Sequence, residues 1–161
     1  MKGAVFGPIG VVHTSATSDE IRSRVRGIQS VVEVFPEFEP ALEGLDGFSH
    51  VFVLGHFDQL RPEQIGPLQV KPRALVRMGL KLDELPTLGV FSLDSPTRPN
   101  PIGLSLATLL KREGNRLHVS ELDYFDGTPV LDIKPYQSSY RVDEYRLPEW
   151  RTMLLKKTGR G

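Results

Sequence analysis

The residues best suited to chemistry stand in a proline-rich segment, residues 91–103, which reads Phe-Ser-Leu-Asp-Ser-Pro-Thr-Arg-Pro-Asn-Pro-Ile-Gly. Each proline fixes its own φ and pushes the residue before it toward extended backbone, so the segment is stiff before any tertiary contact forms. Between the prolines stand Arg98, with five donors, and Asn100, which both donates and accepts. A stiff segment loses less conformational entropy when it binds a ligand, and this favours a binding loop. A rigid connection whose polar groups face water is the alternative.

A second polar group, Asp126-Gly127-Thr128-Pro129, lies between two apolar runs. Asp-Gly between such runs is typical of a tight hairpin turn. We therefore predict a turn here that joins two paired strands.

Basic residues alternate with apolar ones along residues 69–78. In a strand, Lys71, Arg73 and Arg77 would share one face and leave the other face apolar. Such a stripe predicts contact with nucleic-acid phosphates, whereas an ordinary solvated surface is the alternative. A similar spacing recurs at Arg22, Arg24 and Arg26. Those three share a face only if their segment is extended, and are spread around the axis if it is helical.

The histidines do not predict a metal site. His50 and His56 have the same parity on one strand, but six residues of extended chain separate them by about 20 Å. His13 and His118 are isolated, and cysteine is absent. His56 ends its strand next to Phe57 and is the better candidate for contact with a ligand, while His50 is expected to be a hydrogen-bonded core or rim residue.

The composition is that of an ordinary globular domain of 161 residues, 39% hydrophobic and 25% charged. Twenty basic and twenty acidic residues cancel, which argues against a non-specific polyanion binder but allows a local basic stripe. No apolar stretch is long enough for a membrane span or a secretory core, and no disulfide can form. We therefore expect a cytoplasmic protein with no membrane contact.

Prolines and glycines, 13 and 15 in number, cut the chain into short pieces rich in Val, Ile, Leu and Phe. This pattern predicts a mainly β fold, a single small closed or nearly closed β-barrel with short helical additions and a C-terminal tail. The predicted strands are residues 4–13, 30–35, 48–57, 69–78, 87–93, 102–111, 116–123 and 130–133. A helical turn is expected at 40–46, and a short helix or a packed extension in 143–157. The barrel domain would cover residues 1–138, and residues 139–161 would pack on it or on a partner subunit.

Four blocks carry a resemblance to a known family, whereas Walker, Rossmann, nucleophile-elbow and zincin motifs are absent from the sequence. The blocks are Ile9–Thr14, Leu42–His50, Ser95–Ser105 and Asp123–Tyr136, the last ending in Lys-Pro-Tyr. The last two are long and unusual in composition. The chain resembles the TsaA-like family, which includes the TrmO-type tRNA methyltransferases, in a compact form without the extra C-terminal domain of some members.

The resemblance implies a barrel that binds S-adenosylmethionine (SAM), N6-methylation of threonylcarbamoyladenosine beside a tRNA anticodon, and a homodimer with the cofactor near its interface. It assigns the cofactor to Arg22, His56, Phe57, Asp94, Leu104, Leu122 and Asp123. We add Arg98, Asn100, Asp126 and Gly127, because the stiff segment and the turn belong to the same blocks. The target nitrogen must lose a proton, and Asp94 and Asp126 are the candidate acceptors. The tRNA would be contacted by Lys71, Arg73 and Arg77.

One position departs from the family pattern. Asp94 stands where many members carry an arginine, which reverses the charge of a contact to the cofactor carboxylate or to RNA. An aspartate there can instead accept a hydrogen bond from a cationic amine or a ribose. Two other functions therefore stay open: a non-catalytic SAM- or nucleotide-binding barrel with a sensing or RNA-binding role, and a dimeric scaffold that binds no adenosyl compound.

Overall fold

The chain forms two compact units in a computed structural model that describes residues 5–23 and 27–158. The first unit contains residues 1–60 and 101–137, and the second contains residues 61–100 and 138–161. Residues 61–100, which we expected in the barrel domain, thus cluster with the C-terminal residues. The domain limit at residue 138 stays a prediction.

Within the described ranges eight strands, β1 to β8 in chain order, cover Gly10–His13, Ile28–Val34, His50–His56, Gln69–Val70, Leu88–Gly89, Ile102–Glu113, Arg116–Leu122 and Pro129–Pro135. Two α-helices, α1 and α2, cover Ser18–Ser23 and Glu149–Lys157. Short 3-10 helices cover Pro36–Leu42, Pro62–Gln64, Arg73–Met78, Leu82–Glu84, Val90–Ser92 and Ser138–Tyr140. None of the helices in these ranges is long and apolar enough to cross a membrane.

The first unit is a closed antiparallel barrel with the strand order β1-β2-β7-β6-β3-β8. Burial alternates along its strands: in β3, Val51 and Val53 face inward and are fully buried while their neighbours are half-buried. The buried core is mostly aliphatic and includes Val12, Val32, Val34, Ala107, Leu117, Val119, Leu122 and Val130. The predicted mainly β barrel is confirmed, because β-branched residues at period two specify such half-buried strands.

Two predicted strands are wrong. In residues 69–78 only Gln69–Val70 is extended, and residues 73–78 form a 3-10 helix that ends at Gly79 with φ 93°. Pro72 precedes this helix, and most of its residues are good helix formers, so the alternation of charges is not a strand pattern. In residues 87–93 the strand covers only Leu88–Gly89, and Val90–Ser92 is a 3-10 turn.

The predicted hairpin at Asp126-Gly127 is also wrong, although the turn itself is present. Gly127 has a φ of 79°, and the Thr128 amide donates to the Phe125 carbonyl at 3.2 Å. However, β8 pairs with β1 and β3 rather than with the preceding β7. A turn signal marks a reversal of the chain, and it does not specify which strand becomes the partner.

The second unit has a small core of its own around α2. Leu154 of this helix is buried with Leu75, Leu80 and Leu85, and Met78 and Trp150 pack against them. The Lys157 ammonium lies 3.9 Å from the Glu84 carboxylate. The predicted helix in the tail is thus confirmed over residues 149–157, and it packs on residues 75–85 of its own unit.

Candidate functional site

A buried tyrosine organises the barrel where β3 ends and β6 begins. The side chain of Tyr124 is 1% exposed, and its hydroxyl donates to the Val53 carbonyl at 2.7 Å. Its ring meets Phe57 edge-on, with 5.5 Å between ring centroids. Burial raises the pKa of Tyr124 to about 12, and the nearby charge of Asp123 acts in the same direction. The hydroxyl therefore stays protonated, and able to donate, at any physiological pH.

Two glycines make room for this tyrosine. Gly55 and Gly103 face each other across β3 and β6. A Cβ on Gly55 would lie 2.6 Å from Cε2 of Tyr124, and a Cβ on Gly103 would lie 2.6 Å from Cζ of Phe57 and 2.8 Å from the Tyr124 hydroxyl. No real side chain tolerates such distances, so both positions require glycine while the ring occupies this space.

Tyr124 fixes a segment whose neighbouring side chains point away from the core. Asp123 is exposed and accepts a hydrogen bond from the Ser105 hydroxyl on β6. On the other side, the ring of Phe125 lies under the Arg22 guanidinium, 4.8 Å from its centroid. The segment 122–125 thus links two predicted cofactor residues, Arg22 of α1 and Asp123, to one buried anchor.

A bulge directs the chain into this segment. Glu121 has a φ of 64°, the only positive φ among the described residues other than glycine. A Cβ on Gly27 would lie 2.3 Å from the Leu122 carbonyl, and the β2–β7 register shifts between Ile28 and Ser30. The left-handed conformation of Glu121 costs a non-glycine residue roughly 1–2 kcal/mol. Bulges of this kind re-aim side chains beside functional sites.

The turn after the segment is tied to β1 and to the loop after β3. Asp126 Oδ1 accepts the Thr14 amide at 2.9 Å, and its backbone carbonyl accepts from Gln59 Nε2 at 3.0 Å. The Gly127 amide donates to the Val12 carbonyl at 2.8 Å. Asp126 therefore has a structural task, and its role as a proton acceptor stays a prediction.

The other predicted residues of the first unit lie around Gly103. His56 is paired with Ile102 and half-buried, and the Phe57 amide donates to the Pro101 carbonyl at 2.8 Å. Leu104, the next residue after Gly103, is 68% exposed. The barrel therefore places an apolar surface residue, a histidine and the Phe57 ring at adjoining positions of β3 and β6.

Three predicted residues, Asp94, Arg98 and Asn100, belong to the second unit. Arg98 folds back on its own segment, where Nη1 donates to the Leu93 and Ser95 carbonyls at 3.4 Å each. Its carbonyl accepts the Gly66 amide at 3.3 Å. Arg98 therefore braces the stiff segment, Asp94 and Asn100 are exposed, and the assignment of all three to the cofactor stays a prediction.

The predicted basic residues converge, although the strand that was expected to align them is absent. The Lys71 ammonium donates to the Leu82 carbonyl at 3.0 Å. Arg73 and Arg77 line one groove with Val76 and Leu82. In the second basic set, Arg22 lies on helix α1, and Arg24 and Arg26 fall outside the described residues.

The outer face of β6 is apolar and uncovered. Its exposed residues on that side are Ile102, Leu104, Leu106 and Leu110. On β3, Phe52 and Leu54 lie opposite Leu106 and Leu104 and extend this face. A row of exposed large apolar side chains on one sheet face is typical of an interaction surface.

The sequence alone did not indicate that Tyr124, Ser105 and Phe125 belong to the site. It also did not indicate that Gly55 and Gly103 make room for Tyr124. Tyr124 stands in an apolar run and resembles any core residue. The usable signal was Gly55 and Gly103, since glycine inside a strand pattern indicates close approach of another group.

Comparison with known proteins agrees with the resemblance. The model of the family described as "tRNA-methyltransferase O N-terminal domain" matches residues 19–142. A Pyrococcus abyssi protein named "Probable S-adenosyl-L-methionine-binding protein" is 36% identical over 86% of this chain and 71% of its own length. A rat "tRNA (adenine(37)-N6)-methyltransferase" is 40% identical over 78% of this chain. The crystal structure of TrmO from Pseudomonas aeruginosa superposes with a TM-score of 0.67 at 30% identity over 89% of this chain.

The chain spans only part of some of these proteins. It covers 61% of the crystallised TrmO chain and 27% of the rat protein. The family match contains five of the six barrel strands, all except β1, together with both long sequence blocks, and it covers well over half of the chain. This protein belongs to the tRNA-methyltransferase O N-terminal domain family.

Proposed function

We propose that this protein is a SAM-dependent tRNA methyltransferase whose target is N6 of threonylcarbamoyladenosine next to the anticodon. Family membership supports the reaction class, and the names of the relatives supply both the cofactor and the adenine N6 position. The observation that carries the proposal is the segment 122–125, which Tyr124 anchors and which presents Asp123 beside Ser105. A cytoplasmic location follows from this substrate.

The residues of the first unit fit the chemical groups of SAM. The exposed Asp123 carboxylate offers an acceptor for ribose hydroxyls or for an ammonium group. Leu104 offers apolar surface to an adenine ring, and the Arg22 guanidinium suits a carboxylate. His56, Phe57 and Gly127 are further proposed cofactor contacts, and Leu122 would contribute through its backbone because its side chain is fully buried in the core.

Bound SAM would supply a methyl group that is already activated as a sulfonium, so the chain's own task is mainly positioning. The Tyr124 anchor and the Glu121 bulge fix the backbone that carries Asp123. A general base must take the proton of the target nitrogen, and Asp94 and Asp126 remain the candidates. We also propose Arg98 and Asn100 as cofactor contacts.

We also propose a homodimer formed through the outer face of β6. Leu104 and Leu110 are 68% and 51% exposed in the single chain, which leaves apolar surface in water. A second copy with the same face would cover it by two-fold symmetry. The face includes Leu104, so dimer formation would bring a proposed cofactor residue to the interface.

A non-catalytic SAM-binding barrel is the second candidate, because the Pyrococcus relative is named for binding alone. Calorimetry with SAM, followed by transfer of a labelled methyl group to tRNA, separates the two functions. Binding with transfer supports the enzyme, and binding without transfer at saturating protein supports the sensor. If no adenosyl compound binds, both are refuted and the scaffold remains.

A further inference from the structure

One extra residue in β7 decides which side chains of the segment 122–125 face the core. Between two paired positions β2 advances by two residues, whereas β7 advances by three, from Val119 to Leu122. A slip of one residue turns every following side chain to the opposite face of a strand. If the alternation from the buried Val119 continued without the extra residue, Leu122 would face outward and Asp123 would face the core. The bulge is therefore what leaves Asp123 exposed.

The residue at this bulge with left-handed backbone is Glu121, with a φ of 64°. Bulges with one residue in this conformation favour glycine, which has no Cβ to clash. The surrounding backbone holds the glutamate in place, since a Cβ on Gly27 would lie 2.3 Å from the Leu122 carbonyl. A strained residue that its surroundings hold in place is typical of functional sites, and glycine would form the same bulge without the strain. We therefore asked what the glutamate side chain contributes.

The Glu121 carboxylate ties the bulge to β6. The last backbone pair between β6 and β7 joins Thr108 and Ser120. Next to this pair, the Thr108 hydroxyl donates to Glu121 Oε2 at 3.0 Å, and this bond is partly buried. Further along β6, the Ser105 hydroxyl donates to the Asp123 carboxylate. Two hydroxyl–carboxylate bonds thus hold the chain to β6 beyond the last backbone pair.

From these contacts we infer that Glu121 is a positioning residue for the cofactor site. Its carboxylate, held by Thr108, fixes the start of the segment 122–125 and so holds Asp123 ready to accept a hydrogen bond from SAM. The inference rests on the proposed function for the ligand of Asp123, and it adds a residue that acts through Asp123. A segment that is fixed before the ligand arrives loses less conformational entropy on binding.

Three replacements of Glu121 separate the effect of its backbone from that of its carboxylate. Glu121→Gln keeps an oxygen that can accept from Thr108, whereas Glu121→Gly and Glu121→Ala both lose it. Because glycine adopts a positive φ without a steric penalty, Glu121→Gly should melt about 2–4 °C above Glu121→Ala. In calorimetry with the full chain, both should bind SAM roughly fivefold more weakly than the unmodified protein, and Glu121→Gln should stay within about twofold of it.

Replacing the donor tests the same bond from β6. Thr108→Val removes the hydroxyl and should weaken SAM binding about as much as Glu121→Gly does. The double variant should bind no more weakly than either single variant, because both changes break one bond. Thr108→Ser keeps a hydroxyl and should retain most of the affinity.

Glu43→Gly is the matched control for Glu121→Gly. It removes an exposed glutamate of the same unit, at a position where φ is −60°. Glycine relieves no strain there, so the melting temperature should not rise. SAM affinity should equal that of the unmodified protein.

Hydrogen exchange of the backbone amides in the absence of SAM gives a second readout. In Glu121→Gly, residues 122–125 should exchange faster than in the unmodified protein, while β3 should exchange at the same rate. Equal exchange of residues 122–125 in the two proteins would overturn the inference, and so would equal SAM affinity. If the unmodified protein binds no SAM while Glu121→Gly still exchanges faster, the proposed function fails and the positioning of the segment by Glu121 stands.

Discussion

The Tyr124 hydroxyl donates to the Val53 carbonyl at 2.7 Å inside the barrel, and this bond positions the exposed Asp123 and the half-buried Phe125 on either side of Tyr124. Asp123 reaches Ser105 on β6, and Phe125 lies under Arg22 of α1. A single buried anchor therefore determines where two proposed cofactor residues stand.

Replacing Tyr124 by Phe should lower the free energy of unfolding by about 1 kcal/mol at pH 7, because one buried hydrogen bond is lost. The pKa of Tyr124 is raised to about 12 in the folded protein, above its ordinary value of 10.0. Its protonated form is thus favoured by folding, so this stability is present below pH 10 and is lost as the pH rises toward 12. In urea unfolding from pH 7 to 11.5, the difference in free energy of unfolding between the unmodified protein and the Tyr124→Phe variant should shrink as the pH rises. Tyr145→Phe, at an exposed position, serves as the control, and a constant gap across this range would contradict the assignment.

Replacing Gly103 by Ala should displace Phe57 or Tyr124, because the new Cβ would lie within 2.8 Å of both side chains. Overpacking of this kind typically costs about 1–3 kcal/mol. We expect a lower melting temperature and weaker SAM binding by calorimetry. Gly89→Ala is the matched control, since nothing lies within 4 Å of its Cβ position. Equal melting temperatures and equal SAM affinities of the two variants would show that the space beside Gly103 is not tightly filled.

Replacing Asp123 by Asn removes the charge and keeps the shape of the side chain. If the carboxylate accepts from SAM, affinity should fall roughly tenfold, the usual size of a lost charge-assisted hydrogen bond. Ser105→Ala should have a smaller effect in the same direction, because Ser105 only orients the carboxylate. Asp143→Asn in the second unit is the control. Unchanged SAM affinity in Asp123→Asn would remove this residue from the cofactor site.

Replacing Leu106 by Asp should convert the proposed dimer to a monomer, because it puts a charge at the centre of the apolar face of β6. Sedimentation velocity at several protein concentrations measures this directly. Val142→Asp places the same charge at another exposed apolar position and should leave the dimer intact. A monomer at all concentrations for the unmodified chain would refute the interface.

The barrel strands could be predicted from sequence because their residues alternate between core and surface. The 3-10 helix Arg73–Met78 could not be predicted, because its alternating charges also fit a strand. The helix-forming residues after Pro72 favour the helix that is observed. β8 pairs with β1 and β3, which are distant from it in sequence. The Asp126-Gly127 turn does not predict which strands pair.

The candidate site was predictable only in part for a similar reason. The family blocks pointed to residues around Leu104 and Asp123, but the importance of Tyr124 depends on Gly55 and Gly103, which are distant from it in sequence. Arg98 carried donors suited to a ligand, and only the folded segment shows them turned toward its own carbonyls.

The most direct measurement is transfer of a labelled methyl group from SAM to two tRNA preparations, one carrying threonylcarbamoyladenosine and one from cells that cannot make it. We predict label in the first preparation only, located at N6 of the modified adenosine, with strongly reduced transfer by Asp123→Asn. No transfer to either preparation at saturating protein and SAM, or equal transfer to both, would contradict the proposed function.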